Sequence, residues 1–229
     1  MTDPDVPIRD AATIVLLRRA PGNDETQILM GQRGAKAVFM PDKFVFPGGR
    51  VDDEDATHVV HCPVTPDTRA RLRHDAAEHM PDALAIAAIR ELWEETGLIL
   101  GTRSDVSGPV APPQDWAAFY DHGVVPACDC LRFFFRAVTP PGRPRRFDAR
   151  FFLADAGAIF GDLDDFSTAS GELQHLQWLS LDAARDLPMP FVTELVLGEV
   201  AARIAAPDAP RPIPYFRHGA SGGKFEMIP

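Results

Sequence analysis

Asp82-Ala-Leu-Ala-Ile-Ala-Ala-Ile-Arg-Glu-Leu-Trp-Glu-Glu-Thr-Gly-Leu98 carries a folding pattern and a chemical pattern in the same seventeen residues. At about 100° per residue, Leu84, Ala85, Ala88, Ile89 and Leu92 share one side of a helix, and Glu91, Glu94 and Glu95 fan across another. The spacing predicts an amphipathic helix over 82–98, with Asp82 as N-cap after Pro81 and Gly97 as a left-handed stop. Like charges three and four apart each cost about 0.2–0.5 kcal/mol in an isolated helix, and a cation reverses that sign. An all-oxygen cluster suits Mg²⁺ or Mn²⁺ better than zinc. A solvated acidic face ending in a glycine cap has the same local pattern, so a second signal has to decide.

That signal is Phe44-Val45-Phe46-Pro47-Gly48-Gly49-Arg50-Val51-Asp52, where an aromatic and β-branched run breaks at Pro-Gly-Gly. Adjacent glycines let a backbone turn tightly and approach another group closely. Together with Arg90-Glu91-Leu92-Trp93-Glu94-Glu95-Thr96-Gly97-Leu98, this run resembles the Nudix hydrolase family, whose pattern is G-x5-E-x7-R-E-U-x-E-E-x-G-U with U aliphatic. Arg90, Glu91, Leu92, Glu94, Glu95, Gly97 and Leu98 match every fixed position of the second half. The first half is interrupted: Gly49 lies 41 positions before Arg90, where the pattern has fourteen, so 27 residues are inserted. Counting forward from Gly49 puts the pattern's first glutamate at Asp55, beside Glu54; counting back from Arg90 puts it at Asp82. The interrupted box, with Phe39-Met40-Pro41 before it and Arg145-Arg146-Phe147-Asp148 after it, resembles the subgroup that includes peroxisomal coenzyme A diphosphatases.

The resemblance implies that Glu91, Glu94 and Glu95 hold Mg²⁺ or Mn²⁺ while Arg90 orients them. It also implies that Gly48 and Gly49 bring a strand end up to the helix, and that a further metal-binding or base glutamate stands before Trp178, a place Glu172 fills. The expected reaction is hydrolysis of a diphosphate linkage in a nucleoside diphosphate derivative. Coenzyme A or acyl-coenzyme A is the leading substrate, giving 3′,5′-ADP and a phosphopantetheine. An ADP-sugar, NADH or a dinucleoside polyphosphate is the alternative, and a non-catalytic nucleotide sensor is the alternative of another class. Arg33, Lys36 and Lys43 carry positive charge towards the Gly-Gly turn. Arg143, Arg145 and Arg146 concentrate in a single loop, where planar guanidinium forks suit bidentate phosphate recognition. Pairing with nearby aspartates is the equally simple reading of those loop arginines.

The rest of the chain frames this site. With 229 residues, 45% hydrophobic and 24% charged, it has enough apolar material for one sizeable core, and a single domain spanning 1–229 is expected. A net charge of −10 and the lack of a basic stripe argue against a general nucleic-acid binder. Cys62, Cys128 and Cys130 form no disulfide framework, and no apolar run approaches a membrane span, so a cytoplasmic setting is expected. Ala11–Arg19 and Thr26–Arg33 read as a hairpin, Leu131–Val138, Ala149–Ala154 and Glu172–Leu179 as strands, and Gln114–Tyr120 and Phe191–Ile204 as helices. The insertion, about 53–80, carries a short helix at Thr68–His79 and is expected as a lid over or beside the site, or as a contact in a homodimer. Residues 207–229, rich in proline and glycine, are expected as an extended C-terminal tail. The element order implies an α/β/α sandwich around a mixed sheet, of which the Nudix fold is the specific version.

Overall fold

A computed structural model describes residues 6–35, 37, 39–104, 116–207, 209–219 and 222–229. In chain order the strands and helices are β1 (Ile8–Arg19), β2 (Thr26–Arg33), β3 (Phe44–Val45), β4 (Gly48–Arg50), α1 (Pro66–Leu72), α2 (Met80–Thr96), β5 (Ile99–Arg103), α3 (Ala117–Tyr120) and β6 (Val124–Pro126). They continue as β7 (Arg132–Val138), β8 (Arg146–Asp155), β9 (Ile159–Phe160), β10 (Leu173–Ser180), α4 (Leu181–Arg185), α5 (Phe191–Ala205), β11 (Ile213–Gly219) and β12 (Gly222–Ile228). The large sheet runs β10-β2-β1-β8-β7-β11-β12, with β3 added to β2 and β4 to β1. It is mixed, because β1 runs parallel to β8 and β11 parallel to β7 while the other pairs are antiparallel. A small second sheet is ordered β6-β5-β9.

Period-two alternation along β1 builds the sandwich. Ala12, Ile14 and Leu16 face α2, whereas Val15 faces Val196, Leu197 and Val200 of α5. The α/β/α architecture and the β1–β2 hairpin therefore stand as the sequence implied. The first half of α2 differs from the expected amphipathic helix: Ala83 through Ile89 are buried on every side. The sheet covers one side, and the insertion, through a 3-10 turn at Asp55–Thr57 and through α1, covers much of the other. Four alanines in that half let these partners approach closely, and each buried Leu or Ile contributes about 1.5–3 kcal/mol.

Helix boundaries shift for identifiable reasons. α2 starts at Met80, with His79 at the cap and Pro81 in its first turn, so Asp82 is not the N-cap. The Asp82 carboxylate instead pairs with the Arg69 guanidinium, one nitrogen at 3.0 Å and the other closer. Gly97 closes the helix as expected, at φ 78° with its N–H donating to the Trp93 carbonyl at 2.8 Å. α1 begins at Pro66 behind a Thr65 cap and stops at Leu72, short of the expected Thr68–His79. Of the expected helix at Gln114–Tyr120, residues 114 and 115 lie outside the described ones and the helix covers Ala117–Tyr120. The segment expected as a lid is anchored: Val64 and Leu72 belong to the α2-side core, and the Thr68 hydroxyl donates to the Leu131 carbonyl.

The C-terminal residues are not an extended tail. β11 and β12 form a hairpin that continues the large sheet beyond β7, with Tyr215 opposite Arg136, and Ile213, Tyr215 and Ile228 are buried in the α2-side core. Proline and glycine content hides this, because the strand that pairs with β11 lies some 80 residues earlier. No helix among the described residues is long and apolar enough to cross a membrane.

Ile213→Ala tests the hairpin as part of the core. Urea unfolding is expected to show a loss of about 2–5 kcal/mol, whereas an appended tail would change stability by less than about 0.5 kcal/mol.

Candidate active site

Glu91 and Glu95 approach the Gly-Gly strand where the last turns of α2 meet β4. Gly48 and Gly49 pair with Thr13 and Ala12 of β1, which holds the Gly-Gly backbone flat against the helix. At Gly48 φ is 155° and a Cβ would sit 2.5 Å from the Ala12 carbonyl oxygen; at Gly49 it would collide with the Glu91 carboxylate. The Gly48 N–H, free to face the helix, donates to Glu95 Oε2 at 2.8 Å. Gly48 is thus required by close approach to backbone, while a side chain at Gly49 would displace the Glu91 carboxylate from its place.

Arg90 organises the other side. Its Nε and Nη2 reach the two oxygens of Asp55 at 2.9 Å each, Nη2 also donates to the Arg50 carbonyl at 2.9 Å, and Nη1 reaches Glu91 Oε1 at 2.9 Å and Glu94 Oε2 at 3.2 Å. Only 8% of the Arg90 side chain and 1% of the Asp55 side chain are exposed. Asp55, reached by counting forward from Gly49, is therefore the acid that meets Arg90, while Asp82 lies with Arg69 and Glu54 is exposed. Asp55 is itself fixed by the Asp52 N–H, which donates to Oδ2 at 2.8 Å.

Burial pushes the Glu91 carboxyl up to about 7, opposed by Arg90 and reinforced by Glu94. Burial, and then the Glu91 charge, push Glu95 up to about 8 despite the Gly48 N–H. Burial disfavours the Arg90 charge too, but Asp55, Glu91 and Glu94 outweigh it and hold that guanidinium above its ordinary range. The glutamates thus form a cluster short of positive charge. Among the described residues no three His, Cys, Asp or Glu side chains converge as a ready-made metal cage, the expected trio included. Arg90 and the Gly48 N–H draw these carboxylates in different directions.

Glu172, exposed ahead of β10, and Arg33, at the end of β2, both lie within electrostatic reach of Glu95. Leu173 pairs with Arg33 across the two strands, which explains why residues 139 apart in sequence become neighbours. Arg33 Nε is buried without a hydrogen-bond partner among the described residues. Lys36 lies outside them. Arg143 and Arg145 are exposed on the β7–β8 turn, and Arg146 Nε donates to the Thr139 carbonyl at 3.2 Å. That turn is not beside the carboxylates: on β1, Arg146 is opposite Ile8 and Gly49 opposite Ala12, about 13 Å apart along the strand. A cavity of about 370 Å³ opens between them, lined in part by Arg9, Asp10, Arg50, Asp52 and His79.

Sequence reasoning missed the charged group under this cavity. Arg150 and Arg136, both almost fully buried, share the Asp148 carboxylate, and Arg150 also pairs with Asp10. Arg136 Nη1 donates to the His74 carbonyl of the insertion at 2.6 Å. Arginines in strands otherwise filled by phenylalanine were the available signal.

Two outcomes test this electrostatic arrangement. Asp55→Ala strands a buried guanidinium and is expected to cost about 3–5 kcal/mol in urea unfolding. The raised Glu91 and Glu95 values mean that the folded chain keeps protons the unfolded chain has released. Their stabilisation is complete below 4.5 and is lost as pH rises through about 7 and 8. Melting temperature measured in chelator is therefore expected to fall between pH 5 and pH 8.5, and a flat or rising profile would contradict it.

No protein-family model matches the chain. It is 27% identical over 232 residues to the Caenorhabditis elegans protein assigned as nudix hydrolase 7, covering 90% of this chain and 68% of that one. It is 29% identical over 206 residues to the chicken acyl-coenzyme A diphosphatase NUDT19, covering 63% of this chain and only about half, 54%, of that protein. In three dimensions it matches the crystal structure of a Nudix hydrolase from Alicyclobacillus acidocaldarius with a TM-score of 0.65 and 28% identity, covering 88% of this chain and 96% of that one. With the helical half of the box, the Gly-Gly approach and the sandwich in place, the chain shares the motif and the fold of the Nudix hydrolases, and these likenesses support a hydrolase.

Proposed function

We propose that this chain is a divalent-metal-dependent diphosphatase of nucleoside diphosphate derivatives, with coenzyme A or acyl-coenzyme A as substrate and 3′,5′-ADP and a phosphopantetheine as products. The observation that carries the reaction class is the approach of Glu91 and Glu95 to the Gly48-Gly49 turn, with Glu94 beside them on Arg90 and Arg90 locked by Asp55. The substrate reading is supported by the acyl-coenzyme A diphosphatase among the relatives and by the arginine turn, offset about 13 Å along β1 from the Gly-Gly turn and suited to a phosphate remote from the scissile linkage.

The residues fit a hard cation: all donors are oxygens, and Glu91 and Glu95 are pushed to about 7 and 8, a shift that positive charge relieves. Glu91, Glu94 and Glu95 would hold Mg²⁺ or Mn²⁺, which supplies Lewis-acid polarisation of the diphosphate and a more acidic water. Arg90 holds Glu91 and Glu94 through Nη1 and touches no substrate in this reading. The Gly48 N–H holds Glu95 in one orientation. Arg33, whose Nε has no hydrogen-bond partner among the described residues, contributes a donor to a phosphate oxygen, and Arg143, Arg145 and Arg146 take the remote phosphate. Glu172 acts as general base, and its exposure and its reach to Glu95 support that role.

Chromatographic product analysis with Mg²⁺ tests the reading against coenzyme A, acetyl-coenzyme A, NADH, ADP-ribose and diadenosine polyphosphates. The expected product is 3′,5′-ADP, with Glu94→Gln lowering the rate at least about 100-fold while stability stays within about 0.5 kcal/mol. Near-normal turnover by that variant would remove Glu94 from the metal site. Cleavage confined to another substrate of the panel would keep the mechanism and discard coenzyme A.

A further inference from the structure

Strand β12 ends the large sheet, and among the described residues it pairs only with β11. Its seven residues, Gly222-Gly223-Lys224-Phe225-Glu226-Met227-Ile228, pair with β11 in an unbroken register without a bulge, and no proline falls within them. An uninterrupted edge of this kind is a template for another strand, which folded proteins usually blunt or cover. The face beside it is apolar. Of the five large hydrophobic side chains that stand exposed among the described residues, three gather here: Phe191 at 60%, Phe225 at 47% and Met227 at 57%. Phe216 joins two of them, its ring centroid 5.9 Å from that of Phe191 and 4.9 Å from that of Phe225.

We propose that β12 is a homodimer interface, pairing antiparallel with β12 of a second copy about a two-fold axis through Phe225. The charge pattern selects this occupant. A two-fold pairing centred on Phe225 sets residue 224 of each copy opposite residue 226 of the other, so Lys224 meets Glu226 twice on one face of the ribbon. On the opposite face Phe225 meets Phe225. Met227 crosses Gly223 of the second copy, where the absent side chain leaves the Phe216 ring against the backbone: a Cβ at Gly223 would lie 2.8 Å from Phe216 Cζ. Each position of the strand thus has an acceptable partner in its own sequence. The interface lies at the opposite edge of the sheet from β10 and beyond β7, away from the carboxylates of α2, so pairing leaves the hydrolytic site open in both copies.

Light scattering coupled to size exclusion, with variants at Lys224, Phe225 and Glu226, tests this. The unmodified chain is expected at twice its 25.1 kDa, and Phe225→Asp at one copy with its thermal melt and its hydrolytic activity retained. Lys224→Glu places four glutamates around the axis and Glu226→Lys places four lysines there, so each is expected to be monomeric alone. Mixing the two in equal amounts restores both opposite-charge pairs, and a dimer is expected to reappear; a folding defect in either variant could not produce that recovery. A monomeric unmodified chain at 100 µM, a dimer that survives Phe225→Asp, or a mixture that stays monomeric would each overturn the proposal.

Discussion

The buried pairing of Arg90 with Asp55 is the contact on which the rest of the site depends. Two charges removed from water are tolerated only when geometry and further hydrogen bonds are good, and here both conditions hold. The guanidinium fork meets the carboxylate with two parallel bonds of 2.9 Å, the Arg50 carbonyl takes another donor, and Nη1 remains for Glu91 and Glu94. One side chain therefore fixes the strand leaving the Gly-Gly turn, the 3-10 turn that opens the insertion, and the acidic face of α2. Without Asp55, Arg90 would be free to swing fully onto the glutamates and neutralise the negative charge that suits them to a cation.

This explains how the motif survives an insertion of 27 residues. The chain leaves the site just after Asp55, so the acid stays at its distance from Gly49 while the extra residues loop out behind it. The excursion is not loose. Leu72 and Val64 enter the core, Arg69 reaches Asp82, and the His74 and Asp75 carbonyls accept from Arg136, which lies 4.4 Å from the centre of the Tyr215 ring. The insertion, the β7–β8 hairpin and the C-terminal hairpin thus share one polar cluster under the cavity beside the site.

Two glycines make a contrasting point. At Gly48 and Gly49 the determinant is what is absent, since any side chain would strike the Ala12 carbonyl or the Glu91 carboxylate. The backbone N–H exposed by that absence then holds Glu95. The acidic helix and the Gly-Gly turn are two halves of one device, one supplying charge and the other supplying proximity.

The sequence by itself determined the elements whose information is local. Period-two alternation marked β1 and β2, helical spacing marked α2 and its acidic cluster, and Gly97 marked its end. The Gly-Gly turn and the matched half of the box carried the resemblance to the Nudix hydrolases. Tertiary structure decided what depends on partners distant in the chain. Asp55 and Asp82 were equivalent by counting, from one side of the insertion or the other, and only the fold brought Asp55 to Arg90 and Asp82 to Arg69. Local signals placed an N-cap at Asp82, yet a tertiary ion pair took its carboxylate and Pro81 moved the helix start. The short strands β5, β6 and β9 carry too few residues for a period to emerge. The C-terminal hairpin looked like a tail because its apolar residues acquire meaning only beside β7. Local propensity is written along the chain, but ion-pair choice and strand partnership are competitions between distant groups, and the folded geometry settles them.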